Sequence, residues 1–226
     1  MAKRKLFRFD EMKSFDCVFE PTIDDCKNDS FLLKGNWKKE YFKNNNPIIL
    51  ELGCGKGEYS IGLAKRHPNL NFIGIDIKGA RMWYGASTAN KEKINNVAFL
   101  RTRIDFIDKF FGLNEVSEIW LTFSDPQPKK ANKRLSSRHF IELYKKFLVA
   151  NGTIHLKTDS DLLFESTLEE IEKHKYKILV KTWDLYADAG NLKDESVLEA
   201  TQIQTYYETL FSAKGFKIKY CKFLVD

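Results

Sequence analysis

The residues best suited to chemistry lie in ELGCGKG (51–57), where three glycines alternate behind an apolar run and in front of an amphipathic one. A strand that turns into a helix through such a loop lets a ligand approach the backbone closely, with Gly53, Gly55 and Gly57 free to take positive φ. The spacing is GxGxG rather than the GxGxxG of dinucleotide folds, and Glu51 puts a carboxylate where a pyrophosphate would be repelled. Asp76 ends the next apolar run, IGID, at the distance from which an acid holds two ribose hydroxyls. A nucleoside without phosphates and with an ammonium suits this set, and S-adenosylmethionine is such a ligand. The alternative is a glycine-rich turn that binds nothing.

A second group follows a later apolar run. SDPQPKKANKRL (124–135) presents Asp125 on a turn stiffened by Pro126 and Pro128, and continues into Lys129, Lys130, Lys133, Arg134 and, further on, Arg138. HLKTD (155–159) and TYYE (205–208) complete the set. With ELGCGKG and IGID, these segments resemble the tRNA (guanine-N7)-methyltransferases from about Pro47 to the end of the chain. The resemblance implies that Glu51 and Asp76 bind S-adenosylmethionine and that Asp125 belongs to the active site. It also implies that Lys129, Asp159, Thr205, Tyr206, Tyr207 and Glu208 contact a tRNA substrate, at the variable-loop guanine.

This sequence departs from the family at three places. Gln127 replaces a usual Trp, Asp76 stands where Glu is common, and Arg103 falls where an Asp or Asn would meet the cofactor's adenine. Arg cannot accept a hydrogen bond. Asp105, two positions on, shares the face of Arg103 if the strand continues and is the substitute acceptor. Guanine N7 has a lone pair and no hydrogen, so methyl transfer needs positioning rather than a nucleophilic side chain. His67, His139, His155 and His174 sit in separate elements and read as structural. Asp125 and Asp159 are candidates to face the positive charge that develops on guanine, or alternatively to cap the helices that follow them. One tyrosine of TYYE suits stacking on a base, with Glu208 accepting from a base edge.

These residues require a scaffold in which strand ends converge. Apolar runs at 48–52, 71–77, 97–102, 118–124, 153–158, 177–183 and 216–225 alternate with helical patterns at 58–67, 136–150, 162–174 and 205–215. The expected fold is α/β: a doubly wound, Rossmann-like methyltransferase domain over 47–226, with seven strands and the last one antiparallel. Residues 1–46 read as an arm over that domain, and DLYADAGNLKDESVLEA (184–200) as a functional or disordered loop. With 226 residues and 43% hydrophobic content the chain suffices for one substantial core. No run is long enough for a membrane span. Cys17, Cys26, Cys54 and Cys221 show no metal-site spacing, which suits a reduced cytoplasmic setting without metal. A monomer or a homodimer is expected, and the sequence does not choose between them. The net charge of +6 favours an anionic partner. Two rivals remain. One is a methyltransferase for another RNA or a small molecule, and the basic run argues against the small molecule. The other is a non-catalytic RNA-binding protein, favoured if Arg103 and Gln127 spoil the site.

Overall fold

The central strand β2 (Ile48–Leu52) is buried at every residue, as expected of a strand covered by helices on both faces. In the computed structural model, which describes residues 2–225, it pairs in parallel with β3 (Asn71–Ile75) on one side and β5 (Val116–Thr122) on the other. β4 (Val97–Leu100) continues outward from β3, and β6 (Leu148–Thr158) from β5. β8 (Lys219–Val225) inserts antiparallel between β6 and the edge strand β7 (Lys177–Thr182). The chain runs outward from β2 one way and resumes at β5 the other way, so the β2/β5 boundary is the topological switch point where such sheets bind ligands.

The sheet holds eight strands among the described residues, not seven, because β1 (Val18–Phe19) pairs in parallel with β4. Two residues carry no readable period. α2 (Ile23–Asn28), capped by Thr22, follows, and the remainder of the N-terminal segment packs on both faces of the sheet. α1 (Ala2–Met12) ends with Met12 in the core shared with α3 (Glu58–Arg66) and α4 (Gly79–Glu92). Trp37 lies in the opposite core, with α5 (Arg138–Tyr144) and α6 (Asp161–His174). Its indole N–H donates to the Phe110 carbonyl at 2.9 Å, and the buried Glu115 accepts from the backbone N–H of Gly35, Trp37 and Gly112.

Several expected boundaries shift for local reasons. The run at 118–124 ends at Thr122, since Phe123 adopts φ 49. The helix expected over 136–150 stops at Tyr144, and Leu148 onward joins β6 through an irregular register opposite Val116. The run at 97–102 ends at Leu100, and a 3-10 turn follows over Ile104–Lys109. α4 has no counterpart among the expected helices. Its buried face is Gly79, Met82, Gly85, Ala86, Ser87 and Ala89, and a Cβ at Gly85 would stand 2.9 Å from the Lys56 carbonyl oxygen. Close approach to the glycine loop requires the small residues of that face, which carry little apolar signal. The segment at 184–200, expected as a loop, forms α7 (Leu185–Asp188) and the start of α8 (Glu195–Gln202), capped by Asp184 and Asp194. Leu185, Val197 and Ala200 are buried, and Glu199 ties α8 to Arg66 at 2.7 Å. α9 (Tyr206–Ser212) comes after it. None of the helices is long and apolar enough to cross a membrane among the described residues.

Candidate active site

Glu51, Asp76, Asp125 and Asp159 come to the same carboxyl edge of the sheet because β2, β3, β5 and β6 are parallel. Glu51 is opposite Trp120 of β5, two residues before Thr122, and is almost fully buried. Its Oε1 accepts from the Thr122 hydroxyl at 2.7 Å, and its Oε2 accepts from Ser60 N–H at 2.8 Å and Ser60 Oγ at 2.5 Å. Burial pushes its carboxyl up to about 7, against the downward pull of those hydrogen bonds. A carboxylate offers about four acceptor sites, so one remains for a cation.

The glycine loop is held from the next strand. Gly53 and Cys54 N–H donate to the Ile75 carbonyl, and Gly55 N–H donates to Asp76 Oδ2 at 2.9 Å. Asp76 Oδ1 accepts from Lys78 N–H at 2.8 Å. All three loop glycines adopt positive φ, but their surroundings differ. A Cβ at Gly53 or Gly55 would meet nothing closer than 3.9 Å, so these two line open space; at Gly57 it would be 2.6 Å from the Phe99 ring. Gly57 serves packing as well as the turn.

Asp125 is exposed on the loop after β5, and its Oδ1 accepts from Gln127 N–H at 3.0 Å, locking an Asx turn. Gln127 itself adopts φ 44 between the two prolines. Arg134 belongs to the basic run but is buried, and its Nε donates to the Pro126 carbonyl at 3.0 Å, clamping the turn from behind. Lys129, Lys130 and Lys133 remain exposed and line a concavity of about 410 Å³. Asp159 is half-buried and does not cap the next helix; Ser160 does, accepting from Leu163 N–H.

Two expected contacts turn out differently. Asp105 does not share a strand face with Arg103, because the strand has ended and the 3-10 turn has begun. Its carboxylate is held by Lys133 at 2.7 Å and Arg103 at 3.3 Å, and the Lys133 hydrogen bond draws its pKa down. Glu208, expected to read a base edge, is wholly buried. It forms a capping box with Thr205, receives the Tyr186 hydroxyl at 2.6 Å and pairs with the equally buried Lys157 at 2.7 Å. Desolvation lowers the Lys157 pKa against the pull of that partner. HLKTD and TYYE are therefore bolted together through Lys157 and Glu208. Tyr206 stays exposed, and Tyr207 is half-buried beside it. Sequence reasoning missed Ser60, Thr122, Lys157, Tyr186 and Arg134 as supports. Only the position of Lys157 within an apolar run hinted at such a role.

A family model described as "putative methyltransferase" matches residues 45–221. A tRNA (guanine-N(7)-)-methyltransferase of Bacteroides fragilis (strain YCH46) is 52% identical over 225 residues, covering 100% of this chain and 87% of that protein. The chain belongs to the tRNA (guanine-N7)-methyltransferase family. Another member, from Christiangramia forsetii (strain DSM 17595 / CGMCC 1.15422 / KT0803), is 45% identical and covers 99% of both chains. Among solved structures, the 16S rRNA methyltransferase KamB superposes with a TM-score of 0.62 at 12% identity, over 85% of this chain and 94% of its own, which shows the shared fold. The strand order of this chain explains why the motif acids, scattered over more than a hundred residues, lie along one carboxyl edge on either side of the switch point.

Proposed function

We propose that this protein methylates N7 of the variable-loop guanine in tRNA, in the cytoplasm, with S-adenosylmethionine as donor. The observation that carries the reading is 52% identity across the whole chain to a tRNA (guanine-N(7)-)-methyltransferase. The site fits the cofactor on its own chemistry. Gly53 and Gly55 border open space, and among the described residues Glu51 keeps an unused acceptor site and the buried Ser124 Oγ at the same edge has no hydrogen-bond partner. S-adenosylmethionine, when bound, supplies an electrophilic methyl group on a sulfonium. Asp76 is the residue for its ribose hydroxyls, and Glu51, beneath the glycine loop, for its ammonium. Arg103 and Asp105 are the residues for the adenine end, and Asp105, held by Lys133 and Arg103, keeps acceptor capacity beyond those two bonds.

Guanine N7 needs no base to remove a proton, so the protein's part is to orient the ring and stabilise its new charge. Asp125 suits that role because one oxygen is fixed by the Gln127 N–H while the carboxylate stays exposed. Asp159, on the neighbouring strand end, suits the guanine N1–H and exocyclic amine as an acceptor. Lys129, Lys130 and Lys133 suit the phosphates, and Tyr206 is the residue of TYYE exposed enough to stack. Thr205 and Glu208 act behind it by starting α9 at the right place.

The deciding experiment maps N7-methylguanine in tRNA from cells with and without the gene. Loss of the variable-loop signal alone is expected. Its persistence overturns the assigned position, and an unchanged N7-methylguanine content throughout tRNA overturns the activity.

A further inference from the structure

The lysine concavity lies on the loop that leads into α5, and α5 belongs to the core on one face of the sheet. The other face, where α1, α3 and α4 pack, carries its own cationic and aromatic surface beside the glycine loop. Lys56, inside the loop, places its Nζ 4.0 Å from the centre of the Tyr206 ring and 5.7 Å from that of Tyr84. Arg8 of α1 lies over the same Tyr84 ring at 4.5 Å and over Trp83 at 4.9 Å, and donates to the Tyr84 hydroxyl at 2.6 Å. Beside this chain, the exposed Arg81 stands 5.7 Å from the Tyr207 ring. Four elements distant in sequence thus contribute to one stripe.

The stripe is open to solvent. Tyr84 is 42% and Tyr206 54% exposed, against the near-complete burial usual for rings that serve the core. Two carboxylates accompany it: Glu58 accepts from Tyr206 N–H and sits 4.0 Å from Lys56, and Glu11 accepts from the Trp83 indole. They fix α9 and α1 in place, while the three cations outnumber them. Alternating exposed rings and cations match a chain of bases and phosphates, where rings stack and cations meet the backbone charge.

We propose that the Arg8–Tyr84–Lys56–Tyr206 stripe, with Arg81, is a second tRNA-contacting surface, so that the substrate straddles the carboxyl edge of the sheet between this stripe and Lys129–Lys133. The proposal rests on the reading of this protein as a tRNA methyltransferase. The N-terminal helix then has a substrate role, since it supplies Arg8, and the glycine loop carries a residue facing each ligand class: glycines toward the cofactor side and Lys56 toward the RNA.

The test is tRNA binding by fluorescence anisotropy at several salt concentrations, using an unmodified tRNA transcript. Arg8→Gln with Tyr84→Ala should weaken binding about 30-fold and make the salt slope shallower by about one unit, with S-adenosylmethionine affinity retained. Retained cofactor affinity also reports that α4 still packs on the glycine loop. Should this double variant fail to fold, Arg81→Glu, at an exposed residue, must still lower tRNA affinity several-fold. Unchanged tRNA affinity and slope in folded variants overturn the proposal, as does a shift from dimer to monomer without any loss of tRNA binding, which would make the stripe a contact between copies. Lys130→Ala with Lys133→Ala, measured alongside, separates the two readings. If these lysine variants lose tRNA affinity and the stripe variants do not, only the second surface fails. If neither pair matters, the tRNA reading itself fails.

Discussion

Lowering the pH from 8 to 6 is expected to weaken S-adenosylmethionine binding about tenfold, through Glu51. Burial raises this carboxyl to about 7, with Ser60 and Thr122 resisting by hydrogen bonding to the charged form. Its ionised fraction is then about 0.9 at pH 8 and about 0.1 at pH 6. If the ligand's ammonium requires the ionised carboxylate, affinity follows that fraction, and the tenfold change corresponds to about 1.4 kcal/mol. Binding should also release about half a proton at pH 7, because the bound cation favours ionisation. Calorimetry in two buffers of different protonation enthalpy measures both quantities. Glu51→Gln should bind more weakly and lose the dependence, which removes the ligand's own titration from the comparison. A flat wild-type profile between pH 6 and 8, or an equal slope in Glu51→Gln, refutes the reasoning. Linkage gives an independent check on the ligand-free protein. A folded pKa raised above the ordinary 4.5 means that stability is greatest below that value and falls as pH rises through about 7. For a shift of this size the loss is at most roughly 3 kcal/mol.

Asp76→Ala should weaken cofactor binding by about 1 to 3 kcal/mol in calorimetry, since it removes a charged acceptor and also releases the Gly55 and Lys78 N–H groups; an unchanged dissociation constant removes Asp76 from the pocket. Asp125→Asn should lower the single-turnover methylation rate about a hundredfold, or about 2.7 kcal/mol, while sparing fold and cofactor affinity. A near wild-type rate at saturating substrates demotes Asp125 to a turn residue. Lys157→Met should destabilise the protein by about 3 to 5 kcal/mol by leaving Glu208 buried without its cation, and Lys157→Met with Glu208→Leu should recover much of that loss. A double-variant loss equal to the sum of the losses from Lys157→Met and Glu208→Leu alone, measured in denaturant melts, would show that the pair is not energetically coupled.

The glycine loop and the acids of β2 and β3 were legible because their chemistry is local. Residues 51 to 57 are contiguous, and Asp76 follows at the length of one helix and one strand. The parallel strands were legible for a similar reason: each is an unbroken apolar run, and such runs separated by helical patterns admit few arrangements. Elements whose signal is not apolar were harder to see. Apart from Met82, α4 is built of glycine, alanine and serine on its buried side, and the capped turns of α7 are too short to show a period.

The sequence by itself determined which chemical groups this protein can bring to a ligand and, through the parallel strands, that they would gather at one edge. Tertiary structure decided which of those groups are available. Glu208 and Tyr206 stand two residues apart in one motif, yet one is wholly buried and the other exposed, because a helix turns successive side chains through about 100°. Lys157, 51 residues away from Glu208, settles which of them faces inward. Arg134 and Lys133 are adjacent cations, and only the fold assigns one to the Pro126 carbonyl and the other to Asp105. Charge and spacing are properties of the chain, but burial and partnership arise from contacts between distant segments, so a list of motif residues cannot separate those that meet substrate from those that hold them in place.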